Sequence, residues 1–155
     1  MKIIKKVFLF SFVLFCFSTM LNVVSAQKQI IPDSRIAEVY GQAKVDAMMQ
    51  SAPQKILRYN YFLNNSFYVS KTLPPKTVIK GDIFNVPSRN NDYLFNENEE
   101  VVKQGKFNRL KYSFRIESNN YTAFEMGSSG VYVIFYPEES YFQKENAYIK
   151  SYGLK

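Results

Sequence analysis

The sequence predicts an α+β domain, a two-helix hairpin packed on a mainly antiparallel sheet, behind a removable export signal. Residues 33–63 carry apolar side chains at helical spacing, interrupted by one cap-like boundary. Residues 107–136 alternate apolar and polar side chains between two turn signals, the pattern of a half-buried meander. Residues 1–26 have the order of a secretory signal.

That signal opens with Lys2, Lys5 and Lys6, continues as an apolar run from Val7 to about Leu21, and closes on Val24-Ser25-Ala26. A positive start, a short apolar core and small residues two apart mark a cleavable segment, with the cut expected between Ala26 and Gln27. The apolar run is short for a membrane-spanning helix, which needs about 20 residues. Cys16 sits in the middle of this run behind the bulky Phe15, so it is expected to leave with the signal and not to carry a lipid.

Removing 26 of the 155 residues leaves 129, the length of one domain, residues 27–155. The signal takes three of the 20 basic residues and none of the 13 acidic ones, so 17 remain against 13, a net charge of +4. This mild surplus suits an anionic or acidic partner and falls short of the basic footprint of a nucleic-acid binder. The mature part holds no histidine, cysteine or tryptophan. Ser-His-Asp and Cys-His nucleophile pairs are therefore impossible, as are the usual His/Cys zinc sites. An exported domain without cysteine fits a bacterial envelope better than a disulfide-stapled secretome. No cofactor is expected, and the chain reads as a non-enzyme.

Along the mature chain, Asp33 or Ser34 caps a helix to about Gln50, with Ile36, Val39, Tyr40, Ala43, Ala47 and Met48 as its apolar stripe. Gly41 weakens that helix or marks a close contact. Ser51-Ala52-Pro53-Gln54 reads as a capping box that opens a second helix to about Leu63, burying Ile56, Leu57, Tyr61 or Phe62, and Leu63. Short strands are expected at Phe67–Lys71 and Thr77–Lys80, then an irregular excursion over 81–105 with a brief strand at Tyr93–Phe95. Glu138–Lys150 follows Pro137 as a C-terminal helix, acidic at its start and basic later.

The clearest strand pattern is Arg109–Glu117, in which Leu110, Tyr112, Phe114 and Ile116 alternate with polar residues. Thr122–Met126 and Val131–Tyr136 complete the expected meander. A three-residue loop at Asn119–Tyr121 pairs Ile116 with Phe124, Phe114 with Met126, and Arg115 with Glu125 on the reverse face. Val131, Val133 and Phe135 then share the core face.

This register places Tyr121, Tyr132, Ile134 and Tyr136 on the reverse face beside Lys111 and Arg115, a candidate binding surface of rigid aromatics and cations. The alternative is burial of that face under the helices or another strand. Asp92, Glu97, Glu99 and Glu100 match no calcium loop and read as a solvated cluster. Paired carboxylates could serve glycosidic cleavage, but Glu117 and Glu125 only flank a turn and Asp82 stands alone.

The stretch Ile36–Tyr68, running from Ala-Glu-Val-Tyr-Gly through Leu-Arg-Tyr-Asn-Tyr-Phe-Leu-Asn-Asn, resembles the N-terminal half of small Bacteroidota periplasmic subunits linked to type IX secretion (PorD-like). The resemblance implies a non-enzymatic accessory subunit in an outer-membrane secretion assembly and carries over no functional residue. The expected function is thus a periplasmic scaffold that binds an envelope protein complex associated with the outer membrane. The rival is an exported glycan or peptidoglycan-binding module that uses Tyr132 and Tyr136 as stacking platforms. Coplanar tyrosines would favour glycan; a flat apolar patch or an unpaired sheet edge would favour protein.

Overall fold

The structure is a computed structural model that describes residues 28–154; the expected signal, with Ala26 and Gln27, lies outside them. The chain folds as α+β, with helices before the strands and one helix after them. The helical part is α1 (Ser34–Tyr40), α2 (Gln42–Ser51) and α3 (Pro53–Asn65). Asp33 caps α1 by accepting from the Arg35 backbone N–H at 3.0 Å. The Arg35 guanidinium returns to the Asp33 carboxylate at 2.7 Å and reaches the Asn64 side chain at 2.6 Å. The start of α1 is thereby tied to the end of α3.

The first expected helix is two helices, because Gly41 takes φ +79° and ends α1 there. No atom crowds its missing side chain, so the backbone angle alone explains the glycine. The break also resets the helical phase. Val45 turns into the core, while Ala43 and Ala47 of the expected stripe face solvent. The capping box does not form with Ser51 as its cap: Ser51 stays helical and donates its hydroxyl to the Ala47 carbonyl at 2.8 Å. Ala52 takes the cap position, and Pro53 opens α3 in the first turn, where its missing N–H costs nothing.

The sheet has the order β1-β4-β3-β2, from β1 (Phe67–Ser70), β2 (Thr77–Asp82), β3 (Tyr121–Glu125) and β4 (Tyr132–Phe135). Two pairings are antiparallel, Phe67 opposite Phe135 and Phe124 opposite Val133 among them. The third is parallel, with Thr77 beside Tyr121. Parallel strands need a long crossover, and residues 83–120 supply it.

This crossover occupies the place given above to the first strand of the meander. Arg109–Glu117 is not a strand: Arg109–Lys111 is a 3-10 turn, capped by the Asn108 side chain on the Leu110 N–H at 3.2 Å. The alternation has a different cause. Leu110 serves the helical core, whereas Tyr112, Phe114 and Ile116 pack on the sheet core. A regular strand would send all four to one face. The expected pairs Ile116–Phe124, Phe114–Met126 and Arg115–Glu125 are therefore absent, and Glu125 lies opposite Tyr132 instead. Residues 112 and 113 bond to the excursion, Tyr112 bridging Ser88 and the Ser113 N–H donating to the Pro87 carbonyl at 2.9 Å.

The excursion 81–105 is not a solvated loop but half of a core. Ile83, Val86, Phe95 and Val102 are buried against Phe67, Phe124, Val133 and Phe135 of the sheet. It contains a 3-10 turn at Ile83–Asn85 and the short helix α4 (Glu99–Lys103), while the strand expected at Tyr93–Phe95 is reduced to a single bridge, Pro87 to Leu94. Helix α5 (Glu138–Lys150) closes the fold on α3. There the buried Glu145 carboxylate accepts from Tyr141 Oη at 2.8 Å and Arg58 Nη1 at 2.5 Å. Burial, and then this bond to Glu145, pushes the Tyr141 phenol far above its ordinary range. Among the described residues, no helix is long and apolar enough to cross a membrane.

Phe107 is fully buried, its ring 4.7 Å from Phe67 and 5.3 Å from Phe95. Phe107→Ala should lower unfolding free energy by about 3–5 kcal/mol in urea titrations. Asp33 supplies a pH prediction. The hydrogen bond from the Arg35 side chain leads the causes that hold its carboxyl at about 2, below the ordinary 3.8. A depressed folded-state value stabilises above the unfolded value and is lost as pH falls through the folded one. Thermal melts of Asp33→Asn should therefore show a flatter loss of stability between pH 3.8 and about 2 than the parent.

Candidate binding face

Strand residues that stand side by side point to one face of a sheet. The register puts Tyr68, Ile134, Ala123 and Ile79 in one row across the four strands, with Tyr132 and Tyr136 two residues either side of Ile134 and Tyr121 two before Ala123. This face is opposite the one carrying Phe67, Phe124, Val133 and Phe135. Ile134 and Ala123 are fully buried, while the four tyrosines are half-buried and Ile79 is 52% exposed.

The face is divided between the two expectations: Ile134 and Ala123 are core, while the tyrosines around them keep part of their surface in solvent. Helices α3 and α5 reach its Tyr136 end, where Phe62, Tyr141 and Glu145 line a small cavity with that residue. Tyrosine rings line the rest of it. Tyr68 lies 5.4 Å from Tyr136, which lies 6.0 Å from Tyr121, so three rings crowd over the middle of the sheet. Tyrosine suits this because its ring is apolar and its hydroxyl can stay in water. Burial, and then the neighbouring phenols of Tyr121 and Tyr136, raises the Tyr68 hydroxyl above its ordinary range. The Lys144 ammonium of α5 stands 4.8 Å over the Tyr136 ring.

Tyr121, Tyr132, Ile134 and Tyr136 are thus together as the alternation required. Ile134 is beneath the surface and serves packing. Lys111 and Arg115 are not on this face, because the segment that carries them never joins the sheet. Lys111 sits in the 3-10 turn and pairs with Glu38 of α1 at 2.9 Å. That bond leads the causes raising the Lys111 ammonium above its ordinary range and lowering the Glu38 carboxyl. Arg115 is exposed and lines a cleft on the other side, with Arg89 and Arg109.

The sequence reading missed Tyr68 and Ile79. Both follow from period-2 alternation in β1 and β2 once those strands are placed at the two edges. The acidic residues have separate duties. Glu97 accepts from Tyr112 Oη at 3.2 Å, and Glu100 pairs with Lys103 at 2.8 Å. Among the described residues no group of three or more acidic side chains is arranged to hold a metal. Asp82 accepts the Phe84 and Gly127 backbone N–H groups at 3.0 and 3.2 Å, and Glu117 pairs with Lys80.

Substitution separates the floor of this face from its roof. Ile134→Ala should cost about 2–5 kcal/mol in denaturant unfolding, since the side chain is wholly buried. Tyr132→Ser, at a half-buried position with no ring partner among the described residues, should cost distinctly less. Comparisons with known proteins return no matching family, no matching curated relative and no matching solved structure, so the reading of this face rests on its geometry.

Proposed function

We propose that the chain is a non-catalytic subunit of a bacterial cell envelope, exported to the periplasmic side, that docks another protein against the tyrosine face of its sheet. One observation carries the reading: the partly exposed Tyr68, Tyr121, Tyr132 and Tyr136 surround the buried Ile134 and Ala123 on one face of the sheet, with Ile79 exposed beside them. Half-buried, rigid aromatics give large contact area at small entropic cost, which is why they dominate binding energy at protein interfaces.

Ring geometry favours a protein over a glycan. Tyr68 and Tyr136 are inclined by 46°, and Tyr121 and Tyr136 by 52°, so the rings make no common plane for a sugar chain. The sheet also ends in β1 and β2, each with one neighbouring strand, which leaves backbone groups at both margins of the face for an added strand. Lys144 over Tyr136 and the mature charge of +4 suit a partner with an acidic docking surface. The resemblance to subunits linked to type IX secretion points to an outer-membrane translocon as that partner.

The test is a pull-down of the tagged chain from crosslinked native envelopes, read by mass spectrometry. The parent should recover an outer-membrane assembly, and a Tyr132→Ala variant that stays folded should recover about tenfold less, the effect expected of a lost hot-spot aromatic. Recovery of the parent alone would refute docking. Equal recovery by parent and variant would move the interface off this face.

A further inference from the structure

Arg109 is the most unusual charged residue of the fold. It is 7% exposed, and its guanidinium carbon lies 3.8 Å from the centre of the Phe62 ring and 4.4 Å from that of Phe135. Its Nε is buried without an acceptor, and among the described residues the side chain makes neither a hydrogen bond nor an ion pair. Arg35 and Arg58, by contrast, hold carboxylates at 2.7 and 2.5 Å. Burial pulls the Arg109 guanidinium down to about 9, which leaves it protonated at neutral pH. A buried charge with no counter-ion is costly, and a merely structural wedge between two rings would be better made from an apolar side chain.

The surroundings add to the imbalance. Arg109 lines a cleft of about 1150 Å³ together with Arg89 and Arg115, and neither of those forms an ion pair among the described residues. Three arginines without ion-pair partners thus line one cleft, and the charge of Arg89 acts against that of Arg109. The acids that face them do not cancel this. Asp82 accepts two backbone N–H groups, and Glu145 is taken by Arg58 and Tyr141. Glu138 is exposed and outside ion-pair distance of Arg109; it and Tyr141 favour the charged guanidinium, but burial outweighs them. Lys80, on the same cleft, is already neutralised by Glu117.

We infer that Arg109, with Arg89 and Arg115, forms a binding site for the oxyanion group of a ligand, a carboxylate or a phosphoryl group. The guanidinium fork matches the paired oxygens of both. Contact with the Phe62 and Phe135 rings holds the guanidinium in place beside the cleft. The cleft is far larger than one ion, and Val86, Phe114 and Ile116 contribute apolar wall. The ligand is accordingly an organic molecule with an anionic head and a partly apolar body. The large cleft opens on the core side of the sheet, and of the tyrosine face only Tyr136 borders the smaller cavity that Arg109 also lines; anion binding and docking are read by different variants, so each reading can fail alone.

The experiment is calorimetric titration and thermal unfolding of the purified protein with citrate and with inorganic phosphate, against chloride at matched ionic strength. One oxyanion should bind saturably and raise the melting temperature, and the stronger of the two identifies carboxylate or phosphoryl as the natural head group. Arg109→Met keeps the packing between Phe62 and Phe135. It should leave the ligand-free melting temperature unchanged or higher and abolish the response. An Arg89→Gln, Arg115→Gln double variant alters only exposed side chains and should weaken binding by about tenfold, the scale of lost charge-assisted hydrogen bonds. Failure of both anions to bind beyond chloride would overturn the proposal. So would parent-like binding by Arg109→Met or, should that variant not fold, by the double variant.

Discussion

The fold depends on one buried segment, Phe107–Tyr112, that belongs to both of its cores. Phe107 and Tyr112 are packed with the sheet, Leu110 with the helices, and Arg109 between a ring of each. Asn108 fastens the segment laterally. Its side-chain amide donates to the Arg35 carbonyl at 2.8 Å and to Glu38 at 3.1 Å, while its oxygen caps the 3-10 turn. The chain turns here because no single repeat can send Phe107, Leu110 and Tyr112 to such different places. The segment thereby helps to register the helices on the sheet.

How much of this was legible follows from the range of each signal. Local patterns were read well: Glu138–Lys150 is helical over the expected residues, and α3, β1 and β4 begin or end within two residues of expectation. Fold class was equally accessible, because it needs only the order of helical and strand-like periodicities. The failure at Arg109–Glu117 has a physical reason. Alternation reports that every second residue is buried, and a strand is one way to bury them. An irregular segment pinned between two cores is another, with the same signature. Gly41 and Ser51 show the same limit on a smaller scale, since a glycine or a capping motif marks a boundary without fixing which residue turns.

The tyrosine face was legible because it depends on alternation within Tyr121–Glu125 and Tyr132–Phe135, both of which are strands. Lys111 and Arg115 were assigned to it only by the register of a strand that does not exist. Arg109 could not have been found from sequence. It was read as the first polar residue of that strand, on the solvated side, and nothing local reveals that it faces inward with no acid beside it. The absence of an ion pair is a property of tertiary placement: Glu138 stops short of ion-pair distance, and Asp82 and Glu145 are each held by one near and one distant group in the chain.

The two faces of the sheet also explain why a domain of this size needs no second helical layer. One face is covered by the crossover 83–120, which the parallel pairing of β2 and β3 makes obligatory. That crossover brings Phe95, Val102, Phe107 and Phe114 over Phe135 and Phe124, so the length of chain required by topology is also the material of the core. The other face is left to tyrosine, which shields Ile134 and Ala123 without demanding burial of its own hydroxyl. A sheet finished in this way keeps an apolar floor under an amphipathic roof. Leucine or phenylalanine at the same positions would commit the face to permanent burial, and serine would expose the floor. Tyrosine does neither, and that intermediate state is the physical condition for a surface that can be both a stable exterior and a docking site.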